Sequence, residues 1–571
     1  MTKGMRKGLT SYGDADFSLF LRKAFIKAMG LSDDALARPV VGIANTFSDY
    51  NACHGNVPKL VEAIKRGVML AGALPMEFPT ISIHESFAHP TSMFLRNLMA
   101  MDTEEMIRAQ PMDAVVLIGG CDKTIPAQMM ACASADVPTI IVPVGPMLVG
   151  HYNGEELGAC TDCRRLWGEF RGGRIDAPTI ERINERLAPT PGTCMVMGTA
   201  STMACIVEAM GLALPRSASI PATHADRLRS AEASGQFAAA MAVNGGPKPS
   251  ELMTPAAFRN AMVVLQAIGG STNGLVHLTA AAGRLGIKID LAEFDRLGRE
   301  VPVLLDLKPS GAHYMEHFHW AGGVPRLLRE LGDLIDLDAP TVLGGTLRDY
   351  ADAAEDVPGK EVIRSRANPI KAMGSIAVLH GNLAPRGAVI KQSAASPQLM
   401  THKGRAVVFD SVQDMAERVD DPALDVKADD VLVLRNAGPV GAPGMPEAGY
   451  LPIPKKLAQQ GVKDMVRISD ARMSGTAFGT IVLHITPESA VGGPLALVRT
   501  GDLISLDVPG RRIELLVDDA ELTKRRAALG SGASKGAAPV PDRGYAALFH
   551  RSVLQADEGC DFDFLVPGRT T

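Results

Sequence analysis

The chain has 571 residues, more than one hydrophobic core usually supports, so two or more domains are expected. With 46% hydrophobic and 21% charged residues it has the composition of a soluble globular protein, and a net charge of −5 gives no reason to expect nucleic acid or a membrane as partner. Its 57 glycines and 38 prolines put much of the chain in turns and close-approach loops, a feature of α/β enzymes with many strand-to-helix connections.

The amino-terminal stretch "MTKGMRKGLTSYGDADF" lacks an apolar run, so no secretory signal is expected. The longest apolar stretch, "VPTIIVPVGPMLVG", is broken by proline and glycine before reaching the roughly 18 to 20 residues of a membrane helix. A cytoplasmic, reducing setting is the expectation, in which the eight cysteines bind metal, react or pack rather than pair as disulfides. From about residue 38 to 290 short β-rich runs alternate with amphipathic helices. "PVVGIAN" reads as a strand, and "VPKLVEAIKRGVMLAGAL" repeats apolar residues at 57, 60, 61, 64 and 68, the spacing of one helical face. "FPTISIHE" reads as a strand ending at His84 and Glu85, a helix follows from Met93 to Met106, and "DAVVLIGG" reads as a short buried strand. This alternation predicts a parallel sheet with both faces covered, in an α/β domain over residues 1–370. Beyond it "RAVVFDS", "DDVLVLRNAG", "DMVRISD", "GTIVLHITPES", "DLISLDV" and "RRIELLV" are short β-rich runs with few helices between them, predicting a β-barrel-like domain over residues 371–571. A charged, irregular connection, Leu347 to Gly374, joins the two.

The stretch "LIGGCDKTIPAQ" places Cys121, Asp122 and Lys123 on a turn between a buried strand and a helix, where open α/β sheets bind ligands. Cys53 and Cys194 also precede helices, where a thiol is more readily ionised and thiolate is the metal-binding form. Three such thiols could converge on one soft-metal centre, although positions 53, 121 and 194 match no compact zinc or ferredoxin spacing. "CTDC", Cys160 to Cys163, has redox or zinc spacing but no second pair, and reads as an ordinary helix start. Cys132 and Cys205 lie in apolar helices as core residues, and Cys560 sits in a tail with no partner motif. Glu85, beside His84, and Glu447, in the loop "RNAGPVGAPGMPEAG", are carboxylates of a kind that suits Mg²⁺. "ISDARMSGTAFGT" sets Ser474 and Thr476 among small residues, where a serine can be a helix cap, a phosphate ligand or an activated nucleophile or base. No dinucleotide fingerprint follows a strand.

Nine segments, "GGCDKTIPAQMMA", "GACTDCRRLW", "GTCMVMGTASTM", "GGSTNGLVHL", "DLKPSG", "AGGVPRLLREL", "GNLAPRGAVIK", "RNAGPVGAPGMPE" and "ISDARMSGTAFG", occur in this order. Together they resemble the IlvD/Edd dehydratase family over nearly the whole chain. The resemblance implies a hydro-lyase with an Fe–S cluster beside Mg²⁺. It assigns Cys53, Cys121 and Cys194 to the cluster, of the 2Fe-2S type because the first cysteine is present, and Glu85, Asp122, Glu447 and a carbamylated Lys123 to Mg²⁺. Ser474 matches the catalytic base, and Thr476 and His84 are candidates for positioning. His84-Glu85-Ser86 and "SDARMSGTA" replace the Asp-Asp-Gly and "TDGRFSGGT" usual in the branched-chain dihydroxy-acid dehydratases and look like the sugar-acid (pentonate) branch. That branch implies an aldonate such as L-arabinonate or D-xylonate as the small-molecule substrate. The family also implies a homodimer or homotetramer.

Overall fold

Val40–Asn45 (β1), Leu74–Pro79 (β2), Ala114–Gly119 (β3) and Thr139–Pro143 (β4) form a parallel sheet in the order β2-β1-β3-β4. The computed structural model describes residues 3–9, 12–357, 361–529, 536 and 539–569. Every residue of β3 and β4 is buried, as their unbroken apolar runs require in a sheet covered on both faces. The second strand lies earlier than its composition suggests. Pro79 has no N–H to continue the ladder, and beyond it Ile81 donates its N–H to the Asp102 carboxylate, so His84 and Glu85 sit on a loop rather than at a strand end.

The helix Val57–Leu70 starts with Pro58 in its first turn and buries Val57, Leu60, Val61, Ile64 and Val68, the face expected from their spacing. It packs against the helix Ala225–Asn244 at two glycines. A Cβ on Gly67 would run into the carbonyl of Glu232, and one on Gly235 into the carbonyl of Ile64, so the two backbones approach as only glycine allows. The strand–helix alternation stops at β4. After a short antiparallel hairpin, Gly150–Tyr152 (β5) and Glu155–Leu157 (β6), the described chain from Thr161 to Asp352 is helical without strands. Helices such as Thr199–Ala209 and Thr272–Gly283 are buried nearly all round, and they pack on one another in a helical layer instead of returning to the sheet.

Eight strands close the second unit into a barrel: Ala377–Gly381 (β7), Ala384–Ile390 (β8), Thr401–Phe409 (β9), Val431–Leu434 (β10), Arg467–Ser469 (β11), Ile481–Thr486 (β12), Leu503–Asp507 (β13) and Arg512–Leu515 (β14). Their order is β10-β11-β12-β8-β7-β14-β13-β9, with β9 pairing back onto β10. The inward residues, among them Leu379, Ile390, Val433, Ile468, Val482, Ile504 and Ile513, fill the interior as a packed core. β7 and β8 escape the sequence reading: β7 is only five residues long, and Pro385 and Gly387 interrupt the β character of β8. The connection from Leu347 opens with a helix, Leu347–Asp352, whose Asp349 side chain accepts from the Thr346 N–H. Residues 358–360 of that connection, and 1–2 and 10–11 of the amino-terminal stretch, lie outside the described residues.

The carboxy-terminal tail returns to the first unit. Arg284 forms a fully buried ion pair with Asp561, and Arg96 donates to the carbonyls of Gly559 and Cys560. Cys560 is thereby buried against Met93 and Met445, while Cys132 and Cys205 pack in the core as expected. Among the described residues no helix is long and apolar enough to cross a membrane. Gly67→Ala should lower stability by about 1–3 kcal/mol, because the added methyl meets backbone that cannot rotate away. A lower urea midpoint at unchanged slope is the expected result.

Candidate active site

β3 delivers the chain to Gly119 and Gly120, where a Cβ on Gly120 would clash with Val144, and Cys121, Asp122 and Lys123 then form the turn into the helix Thr124–Ala135. The Cys121 N–H donates to Nε2 of His54 at 3.0 Å, and His54 Nδ1 lies 2.7 Å from the Thr46 carbonyl. Because a backbone N–H can only donate, Nε2 accepts and Nδ1 carries the proton. Burial pushes the His54 pKa down to about 4, so the ring is neutral and this tautomer is locked. Cys53 is the preceding residue in the turn Ala52–His54, so one imidazole fixes two thiol-bearing loops together.

Cys53, Cys121 and His84 offer ligand atoms within 4.8 Å of one another. The hydrogen bond to Cys121, together with burial, pushes the Cys53 thiol well up, and the nearby Cys194 and Asp122 add to the shift. Such thiols ionise together only if a cation replaces their protons. Cys194, on the loop before the helix Thr199–Ala209, is close enough to act on Cys53 electrostatically, but its Sγ lies 3.2 Å from that of Cys160. The CTDC segment is therefore more than a helix start. Thr161–Arg171 is a helix, yet its first thiol reaches one of the cysteines singled out above.

Glu85, Asp122 and Glu447 form a second group with carboxylate oxygens within 4.8 Å. Two buried cations border it. Arg472 reaches Glu447 at 2.6 Å and Glu85 at 3.0 Å, and Lys123, with no exposed side-chain surface, reaches Glu85 at 2.8 Å and Asp122 at 3.7 Å. Burial works to raise the Glu85 carboxyl, but Arg472 and Lys123 outweigh it and hold it well below the usual carboxylate range. Burial, with the charge of Glu85, raises Glu447 above its ordinary value in spite of Arg472. A divalent cation would reverse that rise, since it favours every carboxylate anion at once.

The loop from β11 to β12 carries Ser474 and Thr476, whose hydroxyls are 2.8 Å apart. Both units hold it: Lys391 donates to the Gly475 carbonyl at 3.0 Å, Asn273 to the Met473 carbonyl at 3.0 Å, and Thr161 to the Thr476 carbonyl at 2.9 Å. A Cβ on Gly475 would meet Ser271 and the Thr199 backbone, so the loop rests directly on two helix starts. Burial alone pushes Lys391 down to about 7.

The donor sets match two different groups. Thiols suit an iron–sulfur centre and carboxylates a hard cation, and Cys121 and Asp122 are neighbours in the chain, so the two sets adjoin. Cys53, Cys121, Glu85, Asp122, Glu447 and Lys123 are brought together, with Ser474 and Thr476 two and four residues beyond Arg472, the residue that bridges two of the carboxylates. His54, Arg472 and Lys391 were not singled out from sequence. Each lies beside or inside a segment that was, and their signal, a polar side chain forced into the interior, exists only in the fold.

Lys391 carries a pH prediction. Its folded pKa of about 7 lies below the ordinary 10.5, so between these values the unfolded chain binds the extra proton and stability rises with pH at this site. Lys391→Met should therefore be stabilised relative to the parent below pH 7, with the difference shrinking as pH climbs toward 10.5. Urea titrations of both proteins across that range measure it.

Comparison with known proteins places the chain. The dihydroxy-acid/6-phosphogluconate dehydratase N-terminal domain matches residues 38–350 and the corresponding C-terminal domain residues 361–560. The chain is similar to the L-arabonate dehydratase of Azospirillum brasilense, with 47% identity over 100% of this chain and 98% of that one. It is similar to the 6-deoxy-6-sulfo-D-gluconate dehydratase of Pseudomonas putida, with 44% identity over 96% of this chain and 94% of that one. To the dihydroxy-acid dehydratase of Acetivibrio thermocellus it is 37% identical, over 94% of this chain and 96% of that one. A parallel α/β unit, a closed barrel and two adjoining donor sets thus come together in a chain that belongs to the dihydroxy-acid/6-phosphogluconate dehydratase family and is a hydro-lyase.

Proposed function

We propose that the protein removes water from a sugar acid, an aldonate such as L-arabinonate or D-xylonate, to give the 2-keto-3-deoxy acid. The observation that carries this reading is the contact between a thiol set and a carboxylate set at Cys121-Asp122. A 2,3-dihydroxy acid presents a matching pair of demands: its carboxylate and C2 oxygen form a hard chelate, while its C3 hydroxyl must leave. When bound, Mg²⁺ and a 2Fe-2S cluster would supply Lewis acidity at these two ends of the reacting unit.

In this reading Cys53, Cys121 and Cys194 hold the cluster, and Glu85, Asp122 and Glu447 hold Mg²⁺. Lys123 joins the Mg²⁺ ligands as a carbamate: its neutral amine adds CO₂ and releases a proton, exchanging a buried positive charge for a carboxylate. Arg472 offsets part of the resulting negative charge. Ser474 Oγ takes the C2 proton, the C3 hydroxyl leaves and gains a proton to depart as water, and the resulting enol tautomerises to the ketone. A serine anion needs a hydrogen-bond donor and a fixed position. Thr476 Oγ1 at 2.8 Å supplies the first, and the Lys391–Gly475 contact supplies the second. The reaction involves no net oxidation.

A second reading, dehydration of a branched-chain dihydroxy acid, is less well supported. The more similar relatives named above act on sugar acids by name, at 47% and 44% identity against 37%. His84 and Ser86, whose Nδ1 and Oγ lie 2.7 Å apart, add polar groups beside the thiols, which suits a polyhydroxylated chain better than an isopropyl group.

The test is an end-point assay of anaerobically purified enzyme with Mg²⁺, trapping 2-oxo acids from L-arabinonate, D-xylonate, D-gluconate and 2,3-dihydroxyisovalerate. Product from the aldonates well above the branched acid is expected, and the reverse order would overturn the assignment. Cys53→Ser should remove visible cluster absorbance together with turnover. Ser474→Ala should keep the absorbance and lower kcat by roughly 10²- to 10⁴-fold, the range of a lost general base.

A further inference from the structure

Cys160 and Cys163 play no part in the proposed chemistry, yet the fold holds both in unusual positions. Cys160 occupies the N-cap of the helix Thr161–Arg171 with φ 77° and ψ −49°, a backbone conformation that a side-chain-bearing residue rarely adopts, and its side chain makes no capping hydrogen bond. What the strained position does is aim the thiol, placing its Sγ 3.2 Å from Cys194. Cys163, one turn along the same helix, is close enough to Cys160 for the two thiols to influence each other, and it also lines a surface cavity of about 770 Å³. Five basic side chains, Arg164 and Lys463 among them, line that cavity against one acid, Glu169, with Trp167, Tyr450 and Phe478 among its apolar groups. Three sulfurs therefore form an unbroken line from an open, anion-attracting cavity to Cys194.

We propose that Cys163, Cys160 and Cys194 form a thiol–disulfide relay that carries oxidising and reducing equivalents from the surface cavity to Cys194 whenever that sulfur binds no metal. The reactant is a small anionic disulfide of the glutathione type. Cys163 attacks it and releases one small thiol, leaving a mixed disulfide. Cys160 displaces the second small thiol and forms the Cys160–Cys163 disulfide. Cys194 then attacks Cys160, giving Cys160–Cys194 and restoring the Cys163 thiol. In sum, two protein thiols lose two electrons and two protons, and one small disulfide becomes two small thiols; a dithiol runs the sequence backward. Cys163 lowers the Cys160 thiol, but contact with Cys194 and burial outweigh it and push that thiol well up, while contact with Cys160 and burial push Cys163 up, so the exchange is slow. The product shields Cys194 from irreversible oxidation beyond the disulfide. That Cys194 is a cluster ligand rests on the function proposed above, whereas the relay itself does not.

The experiment uses the full chain, stripped of metal by a chelator under reducing conditions, desalted anaerobically and incubated with oxidised glutathione. Free thiols are then blocked with N-ethylmaleimide, and unreduced digests are read by tandem mass spectrometry. Cys160–Cys194 should be the main cross-link, with Cys53 and Cys121 blocked as free thiols and dithiothreitol reversing the bond. Cys163→Ser should form the same cross-link on the order of tenfold more slowly, since the half-buried pair loses the thiol that faces the cavity. Cys160→Ser should leave Cys194 free and glutathione on Cys163. Cys194 free in the parent protein, or cross-linked just as well without Cys160, would overturn the relay; the parent mapping decides this even if a variant fails to fold. A parallel aliquot offered iron and sulfide separates the two readings. Cluster absorbance that returns only after dithiothreitol supports the relay, and absorbance that never returns while the disulfide still forms overturns the cluster assignment alone.

Discussion

Three carboxylates within 4.8 Å of one another in a largely buried site repel strongly unless positive charge stands among them, and the arrangement of this molecule follows from that constraint. Arg472 and Lys123 meet it from opposite sides, one from the barrel loop and one from the strand-to-helix turn. The opposite response of two acids shows how uneven the balance is: Glu85, touching both cations, is held well down, while Glu447, touching one, is pushed up. A divalent cation would even out that asymmetry, and the proposed conversion of Lys123 to a carbamate would make room for its charge.

The same logic explains why two units of different architecture share one site. Carboxylates and thiols reach it from the ends of the parallel sheet, whereas Glu447, Arg472 and the serine loop come from the barrel. A site split between units stays in register only if they are fixed to each other. The hydrogen bonds of Asn273, Thr161 and Lys391 to the serine loop do so locally. Farther away, the carboxy-terminal tail crosses back, and the buried Arg284–Asp561 pair and the Arg96 contacts tie it to the helices of the first unit. Buried ion pairs of this kind serve position more than net stability, because desolvation offsets much of their attraction.

Much of the fold is legible along the chain where the pattern is local. The face of Val57–Leu70, the buried run of β3 and six of the barrel strands follow from periodicity and from turn residues between them. The misreadings also have local causes. Pro79 ends a strand that composition extends to Glu85, Pro385 and Gly387 mask β8, and buried helices that pack on one another look like part of a strand–helix alternation.

The candidate site divides in the same way. Residue types and their order determined, without any structure, that Cys121, Asp122 and Lys123 share a turn, that Cys53 and Cys194 precede helices and that the family is one of dehydratases, because each of these is a property of a few consecutive residues or of motifs in order. Tertiary structure alone decided that His54 clamps Cys121 across 67 residues, that Arg472 bridges Glu85 and Glu447, that Lys391 holds the serine loop and that Cys160 turns toward Cys194. These are contacts between distant segments, made by polar side chains whose charge, tautomer and direction are set by burial, and burial is a property of the folded chain.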